Sequence, residues 1–194
     1  KTRIVSVGRL TERKNQMELL EAYYRLKQPE IELVLIGNFD KAYKKRVESF
    51  IKAHHLTNVT LAGPQANPWA MVTNRDLFVA PSKMETFGLV YVEALLHGVP
   101  SIVSDNPGHL SANEIFNFGQ FYESGNIEQL IHLLSESLKN REILKKESLL
   151  ALSDLRKSYS VENAYQEIFD LLEENSIRKS NSIRHLQKLV TIND

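Results

Sequence analysis

Several residue types and patterns are missing from this sequence, and each absence removes a class of protein. The chain has no cysteine, which excludes disulfide frameworks, thiolate metal sites and cysteine nucleophiles. Its 24 basic and 24 acidic residues leave no net charge, so composition gives no overall attraction to nucleic acid. No apolar run approaches the roughly 18 residues that a membrane-spanning helix needs. With only 8 Gly and 6 Pro, disordered and collagen-like chains are excluded as well.

What the sequence does contain is the composition of an ordinary globular domain. Hydrophobic residues make up 42% of the 194 positions, which is enough for one sizeable core. We expect a soluble domain over residues 1–175 and a helical arm over residues 176–194. Because an apolar strand follows Lys1 within three residues, we expect a domain of a longer protein. The basic stretch Arg178–Lys188 suits a membrane surface, a further domain or solvent.

Short β-branched runs alternate with helical patterns over the first two thirds of the chain. This alternation predicts a parallel sheet flanked by helices. The predicted strands are Arg3–Val7, Ile31–Ile36, Asn58–Ala62, Asp76–Ala80, Ser101–Val103 and Gln120–Tyr122. The predicted helices are Gln16–Leu26, Tyr43–His54, Leu89–His97, Ile127–Leu138, Arg141–Lys157 and Val161–Glu174. We therefore expect a doubly wound α/β fold of about six strands with a helical C-terminal extension, and Trp69 in its core.

The loops that lead from strands to helices are the expected location of a ligand site. Ligands bind to an open doubly wound sheet outside the carboxyl ends of its strands. The predicted loops are residues 8–15, 37–40, 63–68, 81–88 and 104–112. His109 is the only histidine in these loops and is therefore a further candidate for ligand contact.

The first loop places three cations, Arg9, Arg13 and Lys14, directly before a helix. A helix N-terminus attracts anions through its free N–H groups and dipole, so cations at that end strengthen an anion site. The alternative is that these side chains only reach into water. The dinucleotide fingerprint G-x-G-x-x-G and the phosphate loop G-x-x-x-x-G-K-[ST] are both absent, which argues against an ordinary NAD-binding or P-loop protein.

The fourth loop and the helix that follows it carry two carboxylates, Glu85 and Glu93. The helix is apolar nearly all round, so we expect it to be buried on most sides and Glu93 to need hydrogen-bond donors. The adjacent hydroxyls of a ribose would supply them, and a nearby lysine or backbone N–H is the alternative. The N–H groups of residues 87–89 suit a phosphate or sugar oxygen. Together the loops predict a crevice for a diphosphate flanked by two hydroxyl-rich rings.

At this point the motifs resemble those of a known enzyme family. The pattern Glu85-x-Phe87-Gly88, followed by Glu93-Ala94 and Gly98-x-Pro100, resembles the nucleotide-sugar loop of retaining glycosyltransferases of family 4. The two glutamates stand eight residues apart, as they do in that family. Gly8-Arg9-Leu10 with Lys14-Asn15 is similar to the G-R-L-x-x-x-K-N segment of the same enzymes.

The resemblance covers roughly residues 3–140 and implies a fold, an activity and a location. It implies two Rossmann-like domains in the GT-B arrangement, of which this chain would be the C-terminal, donor-binding one. The implied reaction transfers a sugar from a UDP- or GDP-linked donor with retention of anomeric configuration, in surface polysaccharide or glycoconjugate synthesis. The location would be cytoplasmic, or the inner face of the membrane. A sugar phosphorylase of similar fold and a non-catalytic partner domain are the alternatives.

The resemblance also assigns roles to single residues. Arg9 and Lys14 would hold the diphosphate and neutralise the charge that grows on it, while Glu85 would bind hydroxyls of the transferred sugar. These three are the candidate catalytic residues, and Glu93 would bind the ribose. The other candidate donor-binding residues are Gly8, Asn38, Gly63, Pro64, Gln65, Thr86, Phe87, Gly88 and Leu89, with Gly63, Pro64 and Gln65 at the nucleobase. No metal or other cofactor is expected, and the sequence contains no D-x-D pair.

Two loops depart from the family's pattern. The second loop reads Gly37-Asn38-Phe39-Asp40 where many relatives have a second glycine. The fifth loop, at residues 106–110, has one glycine where relatives often have two. Both departures leave the identity of the sugar open. Because we expect the acceptor domain to lie outside this sequence, we expect the chain alone to bind donor but to transfer sugar poorly or not at all.

Overall fold

A single parallel sheet of six strands organises the protein. The structure is a computed structural model, and it describes residues 2–158. The strand order in the sheet is β3-β2-β1-β4-β5-β6, and every neighbouring pair is parallel. The strands are β1 (Arg3–Val7), β2 (Glu32–Ile36), β3 (Val59–Gly63), β4 (Leu77–Ala80), β5 (Ser101–Ser104) and β6 (Gln120–Tyr122). This is the strand order of a Rossmann-like doubly wound sheet.

Helices connect the strands and follow the last one. They are α1 (Gln16–Leu26), α2 (Lys41–Ala53), α3 (Leu89–Leu96), α4 (Pro107–Phe116), α5 (Ile127–Lys139) and α6 (Arg141–Ser158), with a short 3-10 helix at Pro68–Met71. The chain through Leu152 forms one compact unit that contains the whole sheet. The predicted helix Val161–Glu174 and the predicted arm over residues 176–194 lie outside the described residues.

The core follows from the sequence of the central strands. In β1, β2, β4 and β5 nearly every residue is buried, as expected of parallel strands that helices cover on both faces. On one face α1 packs against α5, and each helix contributes the apolar side of an amphipathic pattern. The buried residues that these two helices contribute to the core cluster are Leu19, Leu20, Ala22, Tyr23, Leu130 and Leu134.

The predicted sheet is confirmed, and the predicted elements differ from the observed ones in few places. The bounds of β1, β6 and α1 are as predicted, and the other predicted strands and helices within the described residues shift by one or two residues. The clear correction is α4, because the sequence predicts a loop over residues 104–112 and the structure has a helix from Pro107. Within residues 2–158, no helix combines the length and hydropathy needed to span a bilayer.

Candidate functional site

The carboxyl ends of β1 and β4 lie side by side in the middle of the sheet. From β1 the chain continues to β2 on one side, and from β4 it continues to β5 on the other, so the order of the strands reverses between them. Such a reversal opens a crevice between the two loops that leave the strands. The backbone N–H of Lys83 donates to the carbonyl oxygen of Arg13 at 2.8 Å, which joins the fourth loop to the first.

The first loop is also joined to the second loop, on its other side. The Leu10 N–H donates to the Asn38 carbonyl at 2.8 Å, and the Asp40 N–H donates to the Leu10 carbonyl at 3.1 Å. Gly37 allows this approach: a Cβ at this position would lie 2.0 Å from the carbonyl oxygen of Gly8, and its φ of +148° disfavours other residues. Three loops therefore form one hydrogen-bonded rim above the sheet.

Lys14 and Glu85 meet across the crevice. The Lys14 Nζ lies 2.5 Å from Glu85 Oε1, although the residues are 71 positions apart in the chain. Their side chains are 16% and 9% exposed, so the pair is largely shielded from water. Two of the three predicted catalytic residues are thus brought into direct contact by the strand order.

The environment of Glu85 keeps its carboxyl group ionised. Burial raises the pKa of Glu85, but hydrogen bonds from Lys14 and Ser82 and the charges of Lys14 and His109 outweigh burial, so the pKa lies below its ordinary value. At neutral pH the crevice therefore holds a carboxylate beside an ammonium group. Such a pair can hold a ligand that carries an anion next to hydroxyl groups.

Further polar groups around this pair have no partner in the described part of the chain. The side chain of Arg9 is exposed and forms no hydrogen bond or ion pair with any other described residue. The backbone N–H groups from Thr86 to Leu89 likewise donate to no other described residue. Gly88 is the N-cap of α3, in the left-handed conformation and without a side-chain cap. The first turn of α3 therefore presents free donors, as an anion site requires.

The structure corrects the expectation for Glu93. The sequence predicts that α3 is buried on most sides, but the buried residues of this helix are Tyr91, Ala94 and Leu95, while Leu89 is 66% exposed. Glu93 is exposed, and its Oε2 accepts a hydrogen bond from Trp69 Nε1 at 2.8 Å. A carboxylate in contact with water does not need the donors of a ligand. Because apolar residues occur all round α3, the composition of this helix does not reveal which side packs against the core. The sequence therefore does not show that Glu93 lies on an exposed side.

The predicted nucleobase residues lie in the open at the end of β3. Pro64 and Gln65 are exposed, and Gln65 Nε2 donates to the carbonyl of Ala62 at 3.0 Å. The loop continues into the 3-10 helix that carries Trp69, which is buried as predicted and stacks on His97 with ring centroids 5.0 Å apart. Glu93 therefore lies with the third loop, and the structure shows no contact between Glu93 and the Lys14–Glu85 pair.

The fifth predicted loop contains the start of α4, and this changes the interpretation of His109. The side-chain oxygen of Asn106 accepts from the N–H groups of Gly108 and His109, at 3.1 and 3.2 Å, and Pro107 occupies the first turn. An Asn cap followed by Pro is a helix-start signal, so the sequence does contain the information. His109 is fully buried in the first turn of α4, whereas the sequence predicts an open loop at this position.

Other features of the described residues lie away from this crevice. A cavity of about 270 Å³ lies at the opposite end of the strands, near the amino ends of β4 and β5, and no predicted site residue lines it. Among residues 2–158, no group of three His, Asp or Glu side chains is arranged to hold a metal ion. Asn38, at the rim, is exposed, and its Oδ1 accepts from the N–H of Phe39 at 2.8 Å.

Comparison with known families and curated proteins gives a consistent result. The family model described as "Glycosyl transferases group 1" matches residues 1–149. A curated relative from Campylobacter jejuni, N-acetylgalactosamine-N,N'-diacetylbacillosaminyl-diphospho-undecaprenol 4-alpha-N-acetylgalactosaminyltransferase, is 30% identical over 146 residues. That match covers 73% of this chain but only 39% of the relative, so the chain spans well under half of that protein.

Solved structures share the fold. The Anabaena protein Alr3699/HepE, crystallised with UDP-glucose, superposes with a TM-score of 0.73 at 22% identity, over 89% of this chain and 48% of the other. The C-terminal domain of a group 1 glycosyl transferase, LpcC, from Francisella tularensis superposes with a TM-score of 0.70 at 21% identity. In that case the match covers 83% of this chain and 87% of the other.

Proposed function

Because the chain belongs to the glycosyl transferases group 1 family, we propose that it is the donor-binding domain of a retaining glycosyltransferase of family 4. The observation that carries this proposal is the Lys14–Glu85 contact of 2.5 Å at the strand reversal. The pair offers an ammonium group for a diphosphate and a carboxylate for the hydroxyls of the sugar joined to it. The whole enzyme would transfer that sugar to an acceptor with its anomeric configuration kept.

The diphosphate would lie between the first loop and the start of α3. Arg9 and Lys14 provide two positive charges, and free N–H groups among residues 86–89 provide further donors. As the bond between sugar and phosphate breaks, negative charge grows on the leaving diphosphate. Cations at that position stabilise this charge, and Arg9 and Lys14 would perform this task without a metal ion.

The two ends of the donor would contact different carboxylates. Glu85 would turn toward hydroxyls of the transferred sugar, and Glu93 would accept hydrogen bonds from the ribose. Since Glu93 lies beside the third loop, the nucleobase would lie along Gly63, Pro64 and Gln65. The exposure of Glu93 suits this role, because a ligand can reach it directly.

We further propose that the full protein acts in the synthesis of a surface polysaccharide or glycoconjugate, in the cytoplasm or at the inner face of the membrane. The name of the Campylobacter jejuni relative describes transfer of N-acetylgalactosamine to a sugar on diphospho-undecaprenol, which supports a glycoconjugate role. The Anabaena protein Alr3699/HepE is crystallised with UDP-glucose, which supports a UDP-linked donor. The chain alone would bind donor and transfer little or no sugar.

Calorimetric titration with UDP and GDP tests the proposal. We expect wild-type chain to bind at least one of them, and Lys14→Ala to bind it roughly ten- to a hundredfold more weakly, because a charge-assisted hydrogen bond is lost. Lys45→Ala on α2 is the matched control, since Lys45 is exposed and distant from β4. A thermal melt of each variant verifies that it is folded.

The outcome also separates the enzyme from a non-catalytic domain of the same fold. If folded wild-type chain gives no heat with either nucleotide, the donor-binding function is refuted and a domain that contributes only an interface is favoured. Equal weakening by Lys14→Ala and Lys45→Ala would refute the crevice as the binding site.

A further inference from the structure

His109 is a buried histidine that the proposed donor site does not use. It lies in the first turn of α4, directly behind the loop that carries Glu85, and none of its surface is exposed. Its ring is packed 6.0 Å, centroid to centroid, from that of Tyr91 in α3. A titratable group at this depth needs a reason, because burying it costs free energy unless its polar atoms are satisfied.

The hydrogen bonds around His109 determine which ring nitrogen carries the proton. Asn106 Oδ1 accepts from two backbone N–H groups, so its Nδ2 is the donor end, and Nδ2 donates to the Ser82 carbonyl and to Ser104 Oγ. The Ser104 hydroxyl in turn donates to the Ser82 carbonyl at 2.5 Å. Asn106 Nδ2 also lies 2.8 Å from His109 Nδ1, but its two hydrogens are taken by Ser82 and Ser104. The Ser104 carbonyl, likewise 2.8 Å from Nδ1, can only accept, so it takes its hydrogen from that nitrogen. The neutral ring then has its lone pair on Nε2.

That lone pair has no partner. His109 Nε2 is buried, and no described residue donates a hydrogen bond to it. An unsatisfied buried acceptor is unfavourable, and few occur in a native fold. The other polar atoms of this turn are paired with each other, so the single open position is on the ring edge that faces away from Ser104.

The ring edge with the open position lies against the loop of Glu85. A Cβ on Gly88 would lie 2.6 Å from His109 Cδ2, the carbon bonded to Nε2, and a Cβ on Gly108 would lie 2.3 Å from the Glu85 carbonyl oxygen. Because neither glycine has a Cβ, the first turn of α4 and the Glu85 loop can pack directly against each other. The backbone N–H groups of Thr86, Phe87 and Gly88, in the same loop, also lack partners among the described residues.

We propose that His109 is a positioning residue whose Nε2 accepts a hydrogen bond from a backbone N–H of residues 86–88 when the donor's diphosphate is bound. This inference rests on the proposed function, since the bound diphosphate would draw the loop into its final position. An unpaired acceptor would then meet unpaired donors across an interface already in contact. Glu85 would be fixed in the same step, because Gly108 and His109 support both ends of the loop.

Three substitutions separate this role from plain packing. The amide of His109→Asn overlays Nδ1 and keeps the bond to Ser104, while the amide oxygen of His109→Gln overlays Nε2 and keeps the acceptor. His109→Phe fills the space and keeps neither. We expect His109→Asn and His109→Phe to bind UDP or GDP about tenfold more weakly, and His109→Gln to remain within about threefold of wild type. His132→Asn, on the exposed side of α5, is the control and should change nothing.

The pH dependence of nucleotide binding gives a second readout. The charged and titratable groups that face His109 are Lys14 from the first loop, Glu85 from the fourth loop and Tyr91 from α3. Burial, reinforced by Lys14, lowers the pKa of His109 despite the opposing effects of Ser104 and Glu85. Below that pKa, protonation turns Nε2 into a donor. Wild-type affinity should therefore fall as the pH drops through this lowered pKa, relative to His109→Gln, which has no such proton to bind.

The measurements are calorimetric affinity and thermal midpoint for wild type and all four variants. If affinity follows the thermal midpoint rather than the presence of an acceptor, or if His109→Gln binds as weakly as His109→Asn, the positioning role is overturned while the donor site stands. If folded wild-type chain binds neither UDP nor GDP, the donor site fails, and this inference fails with it.

Discussion

Two shielded ion pairs connect the β1 side of the sheet to the β4 side, one at each edge, and they are built differently. At the amino edge, Arg3 Nε and Nη2 donate to the two carboxylate oxygens of Asp76 at 2.9 and 2.7 Å. Arg3 also donates to the Met71 carbonyl, and Asp76 accepts from the backbone and hydroxyl of Thr73. At the carboxyl edge, Lys14 gives one hydrogen to Glu85 and contacts no other acceptor among the described residues.

The difference separates a pair that holds the fold from a pair that can exchange partners. The Arg3–Asp76 pair has two parallel hydrogen bonds with additional donors, and its Asp side chain is 1% exposed. Both carboxylate oxygens of Asp76 already accept hydrogen bonds within the protein, so this pair has no use for a ligand. The Lys14–Glu85 pair has hydrogens to spare on the lysine and free N–H groups nearby, so its members can turn to a phosphate and a hydroxyl.

Replacing the carboxylate of each pair by an amide tests this difference, and we expect the larger loss of stability at the amino edge. Asp76→Asn places an NH₂ group against donors of Arg3 or Thr73, because both oxygens are already engaged. We expect a loss of about 3 kcal/mol in the free energy of unfolding, measured by urea denaturation, with nucleotide affinity of the folded chain unchanged. A loss below about 1 kcal/mol would contradict the structural role of the pair.

Two glycines with the same φ offer a second test. Gly88 and Gly63 both have a φ of +71°, but a Cβ on Gly88 would meet His109, whereas a Cβ on Gly63 would meet nothing within 4 Å. Alanine at either site carries the cost of the left-handed conformation, about 1 kcal/mol. Gly88→Ala should lose roughly 2 kcal/mol more, from the clash. Equal unfolding free energies for the two variants would mean that the α4 turn does not constrain the Glu85 loop.

The smallest expected effect on stability is at the carboxyl edge. Glu85→Gln can keep its oxygen on Lys14 and turn its NH₂ group away, so one hydrogen bond loses a charge but is not broken, and we expect a loss of about 1 kcal/mol. Affinity for UDP or GDP should rise severalfold, because Lys14 is no longer neutralised, and added salt should reduce the gain. Calorimetry at two ionic strengths tests this, and a fall in affinity would refute competition between Glu85 and the diphosphate.

The same variant has an expected signature in pH. Because the pKa of Glu85 lies below its ordinary value of 4.5, the ionised pair stabilises the fold above that value, and this stability is lost as the pH falls through the folded pKa. The difference in unfolding free energy between wild type and Glu85→Gln should be constant from about pH 7 to pH 5 and shrink below 4.5. A difference that grows toward acid pH would contradict an ionised Glu85.

Much of the architecture could be predicted from local pattern. Buried strands such as Arg3–Val7 are short apolar runs, and Gln16–Leu26 has helical periodicity, so their bounds are read directly from the sequence. The start of α4 has its own signal in Asn106-Pro107, but the same Asn, Pro and Gly residues are typical of a loop. Pattern alone does not distinguish a helix cap from a turn when both use the same residues.

The candidate site was predictable only in part, because contact between distant residues depends on strand order. Lys14 and Glu85 are 71 residues apart, and only the placement of β1 beside β4 brings them together. The expectation for Glu93 was wrong for a different reason. The hydrophobic residues all round α3 predict burial on most sides, but the packing of the described residues leaves one side of the helix exposed. The buried lone pair of His109 has no sequence signal, since it follows from several neighbours acting together.

The double attachment of the first loop restricts its length more than its composition. Leu10 is bonded to the second loop through its N–H and carbonyl groups, and Arg13 is bonded to the fourth loop through its carbonyl oxygen. Every residue type has the carbonyl, and only proline lacks the N–H. The anchor side chains take no part in these bonds, whereas one residue more or fewer would shift one anchor out of register with its partner. An insertion between Leu10 and Arg13 would therefore break backbone hydrogen bonds of the rim that a change of side chain leaves intact.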